Sequence, residues 1–148
     1  MELKIPPLVW LLLTAALMWL AARTDIPALM PPAPFLALLA LAAGIVVQAA
    51  GIWAFYQART TANPLRPDHT AAIVEHGIFS RTRNPMYLGM VFQLAAWALW
   101  LGHSAAWLGL PLFITCLTLW QIRPEERILT EKFGRPYLDY CRRVRRWL

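Results

Sequence analysis

Apolar residues fill four long runs of this chain, 5–22, 34–57, 86–102 and 105–122, and no Asp, Glu, Lys or Arg interrupts any of them. A helix needs roughly 17–25 such residues to cross a hydrocarbon layer, so the second run is ample and the other three are near the lower limit. In hydrocarbon every backbone N–H and C=O must be paired internally, which makes helix the predicted state of each run. The expected fold class is therefore all-α, an integral membrane four-helix transmembrane bundle forming a single membrane domain over 1–148. A cytoplasmic loop, 58–85, and a cytoplasmic tail, 123–148, with an amphipathic C-terminal helical segment, complete it. The first run has a second reading as a secretory signal, since Leu20-Ala21-Ala22 precedes a polar turn. Against it, Glu2 offsets Lys4 where a signal would be basic, and three further runs follow.

Composition agrees. The 148 residues are 59% hydrophobic and 15% charged, with mean hydropathy +0.47, against roughly 45–50% and 25% in soluble domains. Too little polar surface is left to coat a soluble globule of this size. The same arithmetic excludes disordered, collagen-like and disulfide-stapled classes. The two cysteines, Cys116 in the fourth run and Cys141 in the tail, are expected to be unpaired packing residues. Trp10, Trp19, Trp53, Trp97, Trp100, Trp107 and Trp120 read as interface anchors and packing residues rather than a substrate cage.

The net charge of +6 is unevenly placed. Arg23 and Asp25 cancel in the first loop, which four prolines (Pro27, Pro31, Pro32, Pro34) stiffen. The third, Gly102-His103-Ser104, has no formal charge. The second loop carries Arg59, Arg66, Arg81 and Arg83 against Asp68 and Glu75, and the tail eight Lys and Arg against four acids. Positive charge stays inside, so this loop, the tail and both termini are expected in the cytoplasm, the membrane being a bacterial inner one. Tyr137, Cys141, Val144 and Leu148 share one helical face while Arg142, Arg143, Arg145 and Arg146 lie largely elsewhere, the pattern of a helix lying on anionic lipid. That placement accounts for the charge without a nucleic-acid partner.

Two polar segments carry candidate chemistry. The second loop is too long for a bare connector, and it ends Ser80-Arg81-Thr82-Arg83-Asn84-Pro85-Met86-Tyr87. Asn-Pro is a helix-start signal, Asn accepting from free N–H groups and Pro losing no needed donor. A helix N-terminus flanked by Arg81 and Arg83 can hold a carboxylate or phosphate; alternatively both arginines anchor at head groups. His76 is a candidate base or a solvated loop residue. No second His or Cys stands at metal-ligand spacing from it, and His69 and His103 add no pattern, so no metal is expected. The second segment is Gln121-Ile122-Arg123-Pro124-Glu125-Glu126, with two carboxylates in the first turn of a new helix. They are either a solvated helix start favoured by the dipole or a carboxylate at the apolar border that binds hydroxyls or a cation, such as a ribose or a sulfonium.

With Gly77-Ile78-Phe79, the run Ser80 to Gly89, then Glu125-Glu126, Phe133-Gly134, Tyr137, Tyr140 and Val144 in this order, the chain resembles the isoprenylcysteine carboxyl methyltransferase and phospholipid methyltransferase superfamily over about 60–148. The resemblance implies an S-adenosylmethionine-dependent methyltransferase acting at the membrane on a lipophilic acceptor, an isoprenylcysteine-like carboxylate or a lipid head group. The cofactor contacts it implies are Ile73, Val74, Phe79, Asn84, Pro85, Met86, Tyr87 and Glu125. The family often has His at Asn84 and Tyr at Phe79, so no imidazole or hydroxyl contact is implied there. An arginine before the acidic pair contacts substrate in the prenylcysteine enzymes; Gln121 aligns with it, and Arg123 two residues later is its substitute. In-line methyl transfer needs orientation and dryness rather than a protein nucleophile. Catalytic groups are thus unassigned, with His76, Arg83 and Glu126 as candidates. Competing classes are a non-enzymatic membrane scaffold and a transporter subunit, although no span holds the Asp or Glu that a proton-coupled exporter requires. Sterol reductases, which share the C-terminal half and would bind a nicotinamide cofactor, are much longer chains.

Overall fold

The computed structural model describes residues 3, 5–24, 31–60 and 72–148. Asp25, Pro27, Arg66, Asp68 and His69 lie outside the described residues, as do Glu2 and Lys4. Six α-helices are described: α1 (Pro7–Ala21), α2 (Pro34–Gln57), α3 (Pro85–Leu101), α4 (Gly109–Leu117), α5 (Arg123–Phe133) and α6 (Arg135–Arg143). Proline stands in the first two positions of all but α4; its φ is already helical, and at the free starts of α1, α2, α3 and α6 its missing N–H costs nothing.

All four apolar runs are helical, as expected. Two helices are long and apolar enough to cross a membrane, Pro34–Gln57 and the continuous Ser104–Phe133; α1 and α3 are shorter apolar helices. The four-span expectation is thus met in helical content by every run and in length by two. The uncharged part of Ser104–Phe133 ends at Ile122, so α5 projects past the apolar segment. Leu38, Ile45, Val46 and Ile52 on α2 and Leu12 and Leu17 on α1 are exposed. Apolar faces of this extent need a covering other than water, which a membrane provides.

The longest helix contact, α2 on α3, follows from small residues. A Cβ added at Gly44 would lie 2.8 Å from the Gly89 carbonyl, and one added at Gly89 would meet Gln48 and the Gly44 carbonyl. The bare backbones therefore touch, as apolar-layer packing favours. Beside this seam Gln93 donates to Gln48 Oε1 at 2.9 Å, and Gln48 donates to the Met86 carbonyl at 3.3 Å. On the other side, α1 lays Met18 and Thr14 against Gly109, and Trp97 of α3 donates to the Ala15 carbonyl at 3.1 Å. Met18, Leu94, Phe113 and Leu117 form the buried core between them, with Tyr87 and Ile122 at its polar end.

Gly89→Ala is expected to lower unfolding stability by about 1–3 kcal/mol, since backbone and not only a flexible side chain must give way. Ala49→Val on the exposed face of α2 should stay within about 0.5 kcal/mol. Thermal melting of the detergent-solubilised protein reads both.

Candidate functional site

Three pieces of chain meet at the polar end of the bundle: the loop 72–84 leading into α3, the helix running through Ile122 into α5, and α6 with its tail. The first is organised by Pro85 at the start of α3, preceded by Asn84 in a non-helical conformation (φ −130°, ψ 55°). The Asn84 side chain does not cap the helix as expected. Its Nδ2 donates to the Arg146 carbonyl at 2.9 Å, and Thr82 Oγ1 accepts the Asn84 N–H at 3.2 Å. The tail supplies the competing acceptor: Val144 is extended (φ −119°, ψ 131°), and the Arg83 N–H reaches the Arg145 carbonyl at 3.1 Å.

The second piece departs from expectation. Glu125 and Glu126 do not open a new helix, because Ile122 is itself helical (φ −68°, ψ −47°) and a π turn, Thr118–Ile122, carries α4 into α5 without a break. The carboxylates sit inside a continuous helix, so the dipole of a free N-terminus does not explain them. Adjacent helical residues point about 100° apart, and this sends the two acids to different partners.

Glu125 Oε1 accepts from Tyr87 Oη and from Gln121 Nε2, each at 2.6 Å. Gln121, 1% exposed, is one turn back on the same face. Burial pushes the Glu125 carboxyl up to about 7; the bonds from Tyr87 and Gln121 oppose the rise and the Glu126 charge adds to it. Both side chains that bond Glu125 are neutral. Glu126 instead lies 3.0 Å from Arg83 Nη1 and takes two bonds from Arg146, Nε at 3.0 Å and Nη2 at 2.7 Å. Arg83 Nη1 also donates to Cys141 Sγ at 2.6 Å, and both cysteines are free, as expected.

The third piece corrects the view of the C-terminal helix as lying on lipid. Tyr137, Tyr140 and Val144 are buried against Ile73, Leu129 and Phe133, so the apolar stripe seats on the chain itself and only Leu148, 67% exposed, is left out. Gly134, at φ +60° with ψ −131°, makes the reversal between α5 and α6 in a conformation that favours glycine. Tyr140 Oη donates to the Phe79 carbonyl at 2.8 Å, and burial raises both phenols, Tyr137 and Tyr140. Phe79 meets Phe55 edge-on at 5.0 Å and packs with Val74 and Ala54.

Of the residues singled out in the sequence, Tyr87, Gln121 and Glu125 form one hydrogen-bonded cluster, flanked by Arg83 and Glu126. Pro85 and Met86 belong to the first turn of α3, where Asn84 precedes them; Ile73 packs against α6, and Val74 and Phe79 pack against the end of α2. His76 is exposed at the entry to the 3-10 turn Gly77–Ser80, and Arg123 is exposed at the head of α5; neither joins the cluster. Arg146 was not singled out, for one arginine among seven in the tail has no sequence mark. Gln48 and Gln93 carried a legible mark, as amides inside otherwise apolar runs.

The chain matches the family model described as phospholipid methyltransferase over residues 33–136. It is 51% identical over 63 residues to an uncharacterized protein of Haemophilus influenzae, a match covering 43% of this chain and 100% of that one. No solved structure matches.

Because the Glu125 carboxyl is raised in the folded state, its contribution to stability is greatest below its ordinary value of 4.5 and is lost as pH rises towards about 7. The melting temperature of the wild type relative to Glu125→Gln should therefore fall across that interval and level off above it. Glu126→Gln, which leaves two guanidinium groups without their charge partner, is expected to cost about 1.5–3 kcal/mol. Hydrogen exchange should quicken first at 144–148, where the tail is released.

Proposed function

We infer, since the chain belongs to the phospholipid methyltransferase family, that this membrane methyltransferase is S-adenosylmethionine-dependent and acts on a lipophilic acceptor at the cytoplasmic face. The observation carrying this reading is the unequal treatment of two adjacent acids. Glu126 is matched by two guanidinium groups, whereas Glu125, at the border of the apolar segment, is bonded by neutral donors alone. A carboxyl so held suits a ligand carrying hydroxyls and a positive charge. S-adenosylmethionine, when bound, supplies a methyl group on a sulfonium that leaves by in-line displacement.

In this reading Glu125 takes a hydroxyl or the charge of the ligand, with Tyr87 and Gln121 fixing its direction. Asn84, Pro85, Met86 and Tyr87 offer the start of α3, and Ile73, Val74 and Phe79 offer an apolar wall. Arg83 and Glu126 are positioning residues, because they tie α3, α5 and the tail together. The tail lying over the start of α3 limits water, and in a dry site orientation counts for most of the acceleration. Gln121 and Arg123 are assigned to the acceptor side, Arg123 being exposed where a head group would arrive. A carboxylate acceptor needs no base. An ammonium acceptor must lose a proton first, and Glu125, with its carboxyl near 7, is better placed to take it than the exposed His76.

Calorimetric titration of the purified protein with S-adenosylmethionine and with its demethylated product tests the cofactor site. Saturable binding that Glu125→Ala abolishes is expected; no binding to folded wild-type protein in added lipid would remove the methyltransferase reading in favour of a scaffold or transporter subunit. Affinity for the cationic donor should rise with pH by up to about tenfold per unit below about 7, where binding must displace a proton from Glu125, and flatten above. In Glu125→Gln the slope should vanish.

A further inference from the structure

The π turn that delivers Gln121 and Glu125 to Tyr87 is held from outside the segment 33–136 that matches the family. Pro124 has no N–H to give to the carbonyl four residues back, that of Trp120. That carbonyl accepts instead from the backbone N–H of Leu3 at 3.1 Å. The indole of Trp120 stacks on Trp10 of α1, with ring centroids 5.0 Å apart and planes inclined by 10°. The same peptide unit is thus gripped twice by the N-terminal segment, once through its backbone and once through its side chain.

A π turn inserts one residue into the helical count, so the faces before and after it are offset by about 100° relative to a regular helix. Gln121 lies within the turn and Glu125 three residues beyond it. If the turn relaxed, both side chains would swing away from Tyr87 together. Elsewhere α1 does ordinary packing work: Met18, about two turns along the helix from Trp10, fills the space against Gly109 together with Thr14, and Leu8, Leu12 and Leu17 face outward.

We propose that the N-terminal segment, through Trp10 and the backbone of Leu3, is a positioning element that locks the Thr118–Ile122 π turn and so aims Gln121 and Glu125. This rests, for its consequence on methyl transfer, on the assignment of Glu125, which Gln121 orients, to the donor site. Trp10 touches no reacting atom and acts through Trp120.

The test compares full-length wild type, Trp10→Ala, Trp10→Phe and Met18→Ala in lipid-supplemented detergent. Two quantities are read: hydrogen exchange over 118–126 without ligand, and the dissociation constant for S-adenosylmethionine. Trp10→Ala is expected to speed exchange over 118–126 and to weaken donor binding by about tenfold, the scale of one aromatic pair. Trp10→Phe, which keeps a flat ring, should restore most of both. Met18→Ala should lower the melting temperature while leaving both quantities near wild type. Equal effects of Trp10→Ala and Met18→Ala at 118–126, or no effect of Trp10→Ala there, would overturn the proposal. Should Trp10→Ala not fold, Trp10→Leu, which keeps bulk without a flat ring, takes its place with the same expected outcomes. Faster exchange in a protein whose wild type binds no donor would uphold the brace and defeat the donor assignment alone.

Discussion

Glu126 accepts from Arg146 through two nitrogens and lies 3.0 Å from Arg83, and through those contacts three distant stretches of chain become one site. Arg83 stands two residues before α3, Glu126 in α5 and Arg146 beyond α6. The side chains are only partly shielded, with Arg83 11%, Glu126 18% and Arg146 34% exposed. Pairing of this kind is worth more than at an open surface and costs less desolvation than in a sealed core. Its geometric effect is larger than its energy: with Arg146 fixed, its carbonyl meets Asn84 and the tail lies over the start of α3.

That arrangement presupposes a rigid platform, which comes from the seam between α2 and α3. Gly44 and Gly89 let the two backbones touch, and Gln48 bonds the first turn of α3 through the Met86 carbonyl. Within an apolar layer hydrophobicity alone cannot choose which helix faces meet, because lipid is as apolar as leucine. Close backbone approach and paired amides make the choice instead. The helix carrying Tyr87 is thereby held at a set rotation, and Tyr87 faces Glu125 rather than the surroundings.

Adjacent acids acquire opposite characters from the same helix. Glu126 points to two arginines and serves as a structural tie; Glu125 points to a phenol and an amide, and its burial keeps it close to protonation at neutral pH. A carboxyl held ready to ionise beside a cation, within a family of phospholipid methyltransferases, gives the proposed donor site its chemistry. The π turn adds a further demand, since the aim of Gln121 and Glu125 depends on a register that a plain helix would not keep.

The helical class and the positions of four apolar runs were determined by the sequence, because uncharged stretches of this length and the demand for internal backbone pairing leave no other regular structure. Legible as well were the start of α3 at Pro85 and the two polar segments that hold the site, since prolines and acids beside apolar runs mark themselves. Tertiary structure alone decided what those segments do. Asn84 was expected to cap, yet the Arg146 carbonyl captured its amide; the acids were expected at a helix start, yet the π turn carried the helix through. The apolar face of α6 was expected on lipid, yet Ile73, Leu129 and Phe133 covered it. In each case local pattern recorded that a group needed a partner, and only the fold, which brings Asn84 and Arg146 into contact across 62 positions of sequence, determined which partner it found.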